Sequence, residues 1–495
     1  MPLNVPGVYV TESTYGSIPA ILNTHDAVYV IGSSSQSGAP TNTPTYISDM
    51  TDFTNTFGAS PSAAAVQLFF DQRSGFGMYF INVLKRVERT MTITTFTAGT
   101  VLTLTIDGYA VTYTCVTGET ATTARDNLGA VVNTQLPLTA SYYKTDGTLR
   151  YNSGLTVTGG TGITLGTATT VGSVLIKDVS DAINISFEPG MRQGYICAPE
   201  FFQSFTSLTD RTFLQTSLEA LASSPDYNFV AVIDPGFATA TQTTGAGAIN
   251  LAIAERNTFA SPKGHSWYYF PYFKNVSGVN VPPSLAVIGV ALRRMRQESF
   301  AQPPAGVNYP VYGVSDVSFK VTETIQSQLN PVGINCVRRL PRGRGIVVYG
   351  ARTLSTSSYY RFGSVRVILN VLSSSLKDAF DTLIFSLVDG TGVLYSRIRQ
   401  TAAAYCELLR LQGALYGATA SEAYLVICDS TNNSADNLEA GQVSVDVIVK
   451  PSPTMEVLKV NISRASLGTV LAEVQSSGNT SSISTSTSTS TDPAA

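Results

Sequence analysis

Between Glu88 and about Asp178 the chain becomes rich in Thr, Gly and β-forming residues, and this stretch interrupts an α/β pattern that neither flank completes alone. On the N-terminal side, VYVIG in Ala27–Gly32 reads as a buried strand and MYFINVLKRV (Met78–Val87) as another. On the C-terminal side, FVAVIDP (Phe229–Pro235) and WYYFPY (Trp267–Tyr272) read as strands. The segments Leu214–Leu221, Ala248–Phe259 and Leu285–Met295 read as helices. Inside the interruption, VLTLTI and YAVTYTC flank Asp107-Gly108, the dipeptide a tight hairpin needs because both turn residues adopt positive φ. Leu102, Leu104 and Ile106 share one face, and Ala124, Leu128 and Val131 recur at helical spacing. The simplest organisation is a separately folded β-rich domain, 88–178, inserted into an α/β core formed by 21–87 and 179–332. Insertions of this kind are tolerated at surface loops.

The ends read differently. Pro2, Pro6 and Pro19 exclude a helix from residues 1–20, while Val8, Tyr9 and Val10 make a short strand with no local partner. Residues 333–465 read as an α+β domain. It contains the strand Ile346–Arg352, a helix from Val365 to Phe380, and a helix whose apolar stripe is Leu394, Ile398, Ala402, Tyr405 and Leu409. Val443, Val445, Val447 and Val449 alternate with Ser444, Asp446 and Ile448 in a strand ended by Pro451 and Pro453. A last strand is expected over Val457–Ile462. The tail 466–495 is Ser/Thr-rich, too polar to bury, and expected to be disordered.

Composition narrows the function. Hydrophobic residues make up 43% of 495 residues but charged ones only 13%, against the usual ~25%. A folded monomer of this length exposes roughly 18,000 Å², about 270 Å² per charge. A coat this sparse implies a Thr/Ser-rich surface, one covered by other subunits, or both. A net charge of −3 argues against bulk nucleic-acid binding. Five scattered cysteines without a C-x-x-C pair read as reduced thiols. The first residues lack a basic and an apolar region of secretory type, and the longest apolar run, Leu285–Leu292, is far too short for a bilayer. The expectation is synthesis in a cytoplasm without membrane insertion.

Motifs for catalysis are missing from the sequence. His25 and His265 stand alone, no metal-ligand spacing or phosphate loop with its lysine is present, and no G-x-S-x-G elbow occurs. The chain is read as a non-enzyme with no cofactor and no metal. The densest charge feature is Arg338, Arg339, Arg342 and Arg344. It reads as a loop-to-strand junction making salt bridges, as a contact for an acidic partner, or as a short nucleic-acid patch without the aromatic residues such patches use. Arg293, Arg294 and Arg296 close a helix, where cations suit the negative end of the dipole.

Several segments resemble contractile-tail sheath proteins: PGVYVTE near the start, VYVIG followed by Gly38-Ala39-Pro40, FTNTFG (Phe53–Gly58), and ESFAQPPAGV (Glu298–Val307). The most specific are GINCVRRLPRGRGIVVYGARTLS (Gly333–Ser355) and the ending GQVSVDVIVKPSPTMEVLKVNI. The similarity covers both halves of the core and the C-terminal part, and leaves out the insert, which is similar to decoration modules of phage tail proteins. It implies a subtilisin-like α/β core without the protease's catalytic groups. It further implies hexameric rings stacked helically around an inner tube, with terminal arms adding strands to neighbouring subunits. Partners would then be further copies of the chain, the tube protein, and baseplate and terminator proteins, in a virion tail assembled in a host cytoplasm. The strand arms would be Val8, Tyr9, Val10 and Val443, Val445, Val447, Val449. In such sheaths the C-terminal domain faces the tube, which makes Arg397, Arg399 and Arg410, read as an exposed row on the second helix, and Arg342 and Arg344 candidates for tube contact. A bacterial contractile injection system has the same architecture and is the alternative; a β-rich glycan-binding adhesin is a remote one.

Overall fold

A computed structural model describes residues 20–36, 38–83, 86–135, 141–144, 146–152, 155–170, 174–241, 245–388, 390–460 and 462. The fold opens with β1 (Ala27–Gly32), β2 (Thr45–Ile47), α1 (Met50–Phe57), α2 (Ala63–Asp71) and β3 (Met78–Asn82). There follow β4 (Arg86–Ile93), β5 (Val101–Ile106), β6 (Tyr109–Thr114), α3 (Ala121–Gln135), β7 (Ser141–Tyr143), β8 (Thr148–Asn152), β9 (Val157–Gly159), β10 (Ile163–Leu165) and β11 (Thr169–Thr170). The next elements are α4 (Ile176–Ser186), β12 (Gly194–Cys197), α5 (Pro199–Ser204), α6 (Leu208–Ala222), β13 (Val230–Ile233), α7 (Phe237–Ala240), α8 (Gly245–Thr258) and β14 (Ser266–Phe270). After them come β15 (Phe273–Asn275), β16 (Asn280–Val281), α9 (Ser284–Gln297), β17 (Val314–Val317), α10 (Glu323–Leu329), β18 (Ile334–Arg339) and β19 (Ile346–Tyr349). The last are α11 (Gly363–Asp381), α12 (Val393–Leu411), α13 (Ala420–Ala423), β20 (Tyr424–Ile427), α14 (Ala435–Glu439) and β21 (Asp446–Val449).

The core is one eight-stranded sheet in the order β19-β18-β14-β13-β12-β1-β3-β2, parallel from β3 to β18 and edged by antiparallel β2 and β19. Strand β1 is buried along its whole length, as a central parallel strand covered on both faces must be. Its Val28 and Val30 enter an apolar cluster with Phe53, Phe57 and Phe69 of α1 and α2 and Leu285 of α9. Its Tyr29 and Ile31 point the other way, into a cluster with Val179, Phe201, Leu214 and Ala252 of α4, α5, α6 and α8. The period-2 geometry of a strand divides one apolar run between two helical layers.

The insert has its own core, whose fully buried members among the described residues all lie between Met91 and Ile163, with Val87 and Leu165 packed against them. Two sheets, β10-β4-β8-β7 with β11 beside β4, and β6-β5-β9, enclose it with α3. Asp107 and Gly108 take φ of 50° and 83°, the turn the sequence called for, and Leu102, Leu104 and Ile106 are buried. Where the insert meets the core, Arg86 binds Asp178 at 3.1 Å and Asp181 at 2.7 Å, and Arg150 binds Asp178 at 2.8 Å and Glu88 at 3.1 Å. The side chains of Arg86, Arg150 and Asp178 are each 1% exposed.

Three expectations change. Met78–Val87 is not one strand: β3 ends at Asn82 and β4 starts at Arg86, because the chain leaves the core sheet there and enters the insert. The C-terminal part does not begin at 333, since β18 pairs in parallel with β14 and β19 pairs with β18, so the core sheet runs to Tyr349. The final strands are shorter than the alternation suggests. β21 starts at Asp446, and the described residues of Met455–Ile462 have no regular structure. The segments 1–19 and 463–495, which hold Val8, Tyr9 and Val10 and the Ser/Thr tail, lie outside the described residues.

Candidate assembly surfaces

The groups that could do chemistry are separated by the sheet itself. His25 and His265 precede β1 and β14, at the N-terminal ends of the parallel strands, whereas Asp234 follows β13 at the C-terminal ends. Strands of four to six residues put about 13–20 Å between the two ends. Asp234 is fully buried and accepts from the backbone N–H of Ser284 at 2.8 Å; burial pushes its carboxyl up to about 7. The neighbouring Cys197 thiol is likewise pushed up by burial. At the switch point between β1 and β12, where open α/β sheets usually bind ligands, a buried carboxylate links the strand ends. Glu200 accepts from the backbone N–H of Ser33 at 2.8 Å, from the Ser33 hydroxyl, and from Ser62 Oγ at 2.7 Å. No group of three or more metal-ligating side chains occurs among the described residues. No described helix is long and apolar enough to cross a membrane.

The basic clusters divide by role. Arg293 donates to the carbonyls of Gln72 and Pro310 and lies 4.4 Å from the Tyr312 ring centroid. Arg294 donates to Pro303 O and Ala305 O and pairs with Glu298. Arg294 pins the Glu298–Val307 segment and Arg293 holds Pro310 just after it, and Gly306 N–H and Val311 N–H bond to Val348 O and Ile346 O and cover the edge of β19. In the second cluster, Arg338 is buried, donates to Gln326 and stacks on Tyr349. Arg339 pairs with Asp316 at 3.0 Å. Arg342 and Arg344 stand exposed at the tip of the β18–β19 hairpin, Arg342 with φ of 61° beside Gly343 and Gly345, also at positive φ. The salt-bridged junction and the free cationic surface are therefore both present, on different residues.

On α12 the expected arginine row splits. At 100° per residue, Arg397 lies about 160° around the helix from Arg399, and Arg399 and Arg410 share a face three turns apart. Arg397 is exposed and Arg399 half-buried, within reach of Ser396 Oγ. Hydrogen bonds from Thr431, with a smaller contribution from Arg399, hold the Asp429 carboxyl below its ordinary range. Arg410 is engaged by Glu407, Nε to Oε2 at 2.9 Å, and donates to Ala418 O at 3.0 Å.

The valine alternation works as a facing rule. Val447 and Val449 pack on the α11–α12 cluster with Tyr405 and Leu409, and Val443 and Val445 pack on a smaller one with Leu383 and Ile398. β21 is paired within the chain, Val447 opposite Val426 and Val449 opposite Tyr424. The resulting sheet has two strands only, so both outer edges lack a strand among the described residues, and Leu425 and Ile448 are more than half exposed. Beyond it, Met455, Val457, Leu458, Val460 and Ile462 are 68–92% exposed. Both ends of the described main unit come off α11: Asn23 N–H donates to Ser375 Oγ at 2.8 Å, and Thr454 Oγ1 lies 2.8 Å from Ser364 Oγ.

One surface escaped the sequence reading. Between α11 and α12, Ile384, Phe385 and Leu387 are 61%, 100% and 88% exposed, Phe385 at φ of 67°. The signal was available as an apolar run, LIFSLV, closed by a Gly-Thr-Gly turn between two helical patterns.

No family model matches the chain. A tail sheath protein of Vibrio phage KVP40 is 24% identical over 242 residues, a match spanning 48% of this chain and 34% of that protein. Among solved structures, the sheath of an extracellular contractile injection system, the PVC sheath complex in its contracted state, superposes with a TM-score of 0.58 at 17% identity, covering 94% of this chain and 99% of the other. The contracted helical sheath of the anti-feeding prophage (AFP) gives 0.57 at 18% identity, covering 93% and 99%.

Proposed function

We propose that this chain, which has the fold of contractile sheath proteins, is the structural subunit of a contractile sheath that assembles as stacked hexameric rings around an inner tube and shortens to drive that tube through a target envelope. The observation that carries the reading is the arrangement around α11 and α12. Both ends of the described main unit leave this lobe, next to a two-stranded sheet with open edges and ahead of an exposed apolar segment, Met455–Ile462. Open sheet edges are aggregation hazards in a monomer and become a lattice when strands are added in trans. In this reading residues 1–20, with Val8, Tyr9 and Val10, and the segment after β21 enter the sheets of neighbouring copies. Each backbone hydrogen bond nets only about 0.5–1.5 kcal/mol, and repetition around and along a cylinder makes the sum large.

The core, subtilisin-like in the same reading, is the rigid body that moves during contraction. Its energy comes from new burial between subunits, so no nucleotide is required. Baseplate and terminator proteins would set the ends of the cylinder. Tube contact falls to Arg342 and Arg344 more readily than to Arg399 and Arg410, which have partners or near neighbours within the chain. Of the relatives named above, one is the sheath of a contractile injection system, one the sheath of the anti-feeding prophage and one a phage tail sheath protein; a virion tail, assembled in a host cytoplasm, is the preferred reading and an injection-system sheath the second. Electron microscopy of the purified chain is the test. Long hollow striated cylinders are expected, and a protein that stays monomeric at high concentration overturns the proposal. Deleting residues 1–19 should leave a folded monomer that forms no cylinders at concentrations where the intact chain does.

A further inference from the structure

Helix α11 lies across the loops that lead into four parallel strands of the core and holds each one by side-chain hydrogen bonds. Ahead of β1, Asn23 donates from its backbone N–H to Ser375 Oγ at 2.8 Å and from Nδ2 to Asp378 Oδ2 at 2.6 Å. Ahead of β12, Gln193 Nε2 donates to Ser374 Oγ at 2.5 Å. Ahead of β13, Asn370 Nδ2 donates to Asn228 O at 2.8 Å, and Lys377 pairs with Asp226 at 3.0 Å. Ahead of β14, Arg366 donates to Lys263 O at 3.4 Å. Val367 and Val371 are the residues of α11 that enter the core cluster beside these polar contacts.

Two histidines are closed inside it. His25 is 0% and His265 3% exposed. His265 Nδ1–H donates to Phe229 O at 2.9 Å. Neither ring nitrogen of His25 reaches hydrogen-bond geometry among the described residues, although Gln193 is close enough to favour its protonated form. The His25 ring meets the Tyr195 ring at 4.9 Å between centroids. The charged groups acting on the pair are Arg366 of α11, 8% exposed, and Lys263 of the preceding loop. Glu219 of α6 accepts from Ser261 and Ser266, and burial raises its carboxyl. Asp26, next to His25, is paired outward with Arg192. A proton arriving on either imidazole enters a buried space that already holds a guanidinium.

We propose that α11 is an acid-released clasp, in which protonation of His25 and His265 beside Arg366 frees the helix from the strand starts while the core sheet remains folded. Burial first, and Arg366 second, lower His25 to about 3 and His265 to about 4. A base held below its unfolded value stabilises the closed form fully above about 6.5, and this is lost as the pH falls toward the folded values. Two such groups together shift opening by on the order of 10³-fold between pH 7 and 4.5. Glu219, with its raised carboxyl, opposes the shift in the lower part of that window. The inference does not depend on whether the chain polymerises.

Hydrogen exchange of the full chain at pH 7, 5.5 and 4.5, normalised to the intrinsic rate at each pH, tests it. Peptides from 363–381 should lose protection by at least about a hundredfold relative to peptides from β13 and β14. Equal loss in both regions, or none in α11, overturns the clasp. In His25→Gln with His265→Asn the selective loss should disappear, and its persistence would equally overturn the idea. If that pair of substitutions prevents folding, Arg366→Met in the otherwise unchanged chain serves, with the loss expected at lower pH and an unmoved midpoint counting against the proposal.

Discussion

Arg86 is 1% exposed and shared between Asp178 and Asp181, whereas Arg342 stands at a hairpin tip with no ion pair among the described residues. Removing one partner from a buried ion pair leaves an uncompensated charge, so Arg86→Ala should cost about 3–5 kcal/mol in denaturant unfolding. Arg342→Glu with Arg344→Glu should change stability by no more than about 0.5 kcal/mol. In the sheath reading the same double variant lowers the fraction of tube-filled cylinders, most at low salt where charges are least screened. Normal tube filling at low salt would remove these arginines from the tube contact. Asp234 offers a pH test. A carboxyl held above its unfolded value stabilises fully below that value and loses the effect as the pH rises through about 7. Asp234→Asn, which keeps the acceptor for Ser284 N–H, should therefore raise the melting temperature at pH 8 and do so much less at pH 4. An equal change at both would place the carboxyl's titration elsewhere.

At the scale of elements, legibility followed how local the cause was. The Asp107-Gly108 hairpin, buried β1 and the α12 stripe through Ile398, Ala402, Tyr405 and Leu409 depend on neighbours a few residues away, and all are present. The strand misread as Met78–Val87 fails because a break between two sheets leaves no mark in an apolar run. The arginines of α12 were read as a row from their charge without their angular positions, and Glu407 three residues before Arg410 was overlooked. The seam under α11 was out of reach, because its partners are more than a hundred residues distant and each is an ordinary Asn, Gln or Ser. The insert tests how separable these elements are. Replacing 88–178 by a short Gly/Ser linker keeps Arg86 and Asp181 together and so leaves the junction neutral. The shortened chain should unfold cooperatively and, in the sheath reading with the insert as the outer domain, form cylinders of smaller outer diameter; an unfolded product would tie the insert to the stability of the core.

Across the whole molecule, the central strand β1 ends at Gly32 and its parallel neighbour β12 begins at Gly194, with the insert lying between them. A ribosome adding roughly 5–20 residues per second needs about 10–30 s to cover that distance. For that interval one side of VYVIG has no strand beside it, while the insert, whose described core residues run from Val87 to Leu165, can already close. The lobe that carries the open-edged sheet is made last, after α11. In the sheath reading, a nascent chain closes its bulky, self-contained module before the core can be completed and gains the open-edged sheet only afterwards, so the order of synthesis delays strand exchange through the C-terminal lobe between neighbouring nascent chains on one messenger.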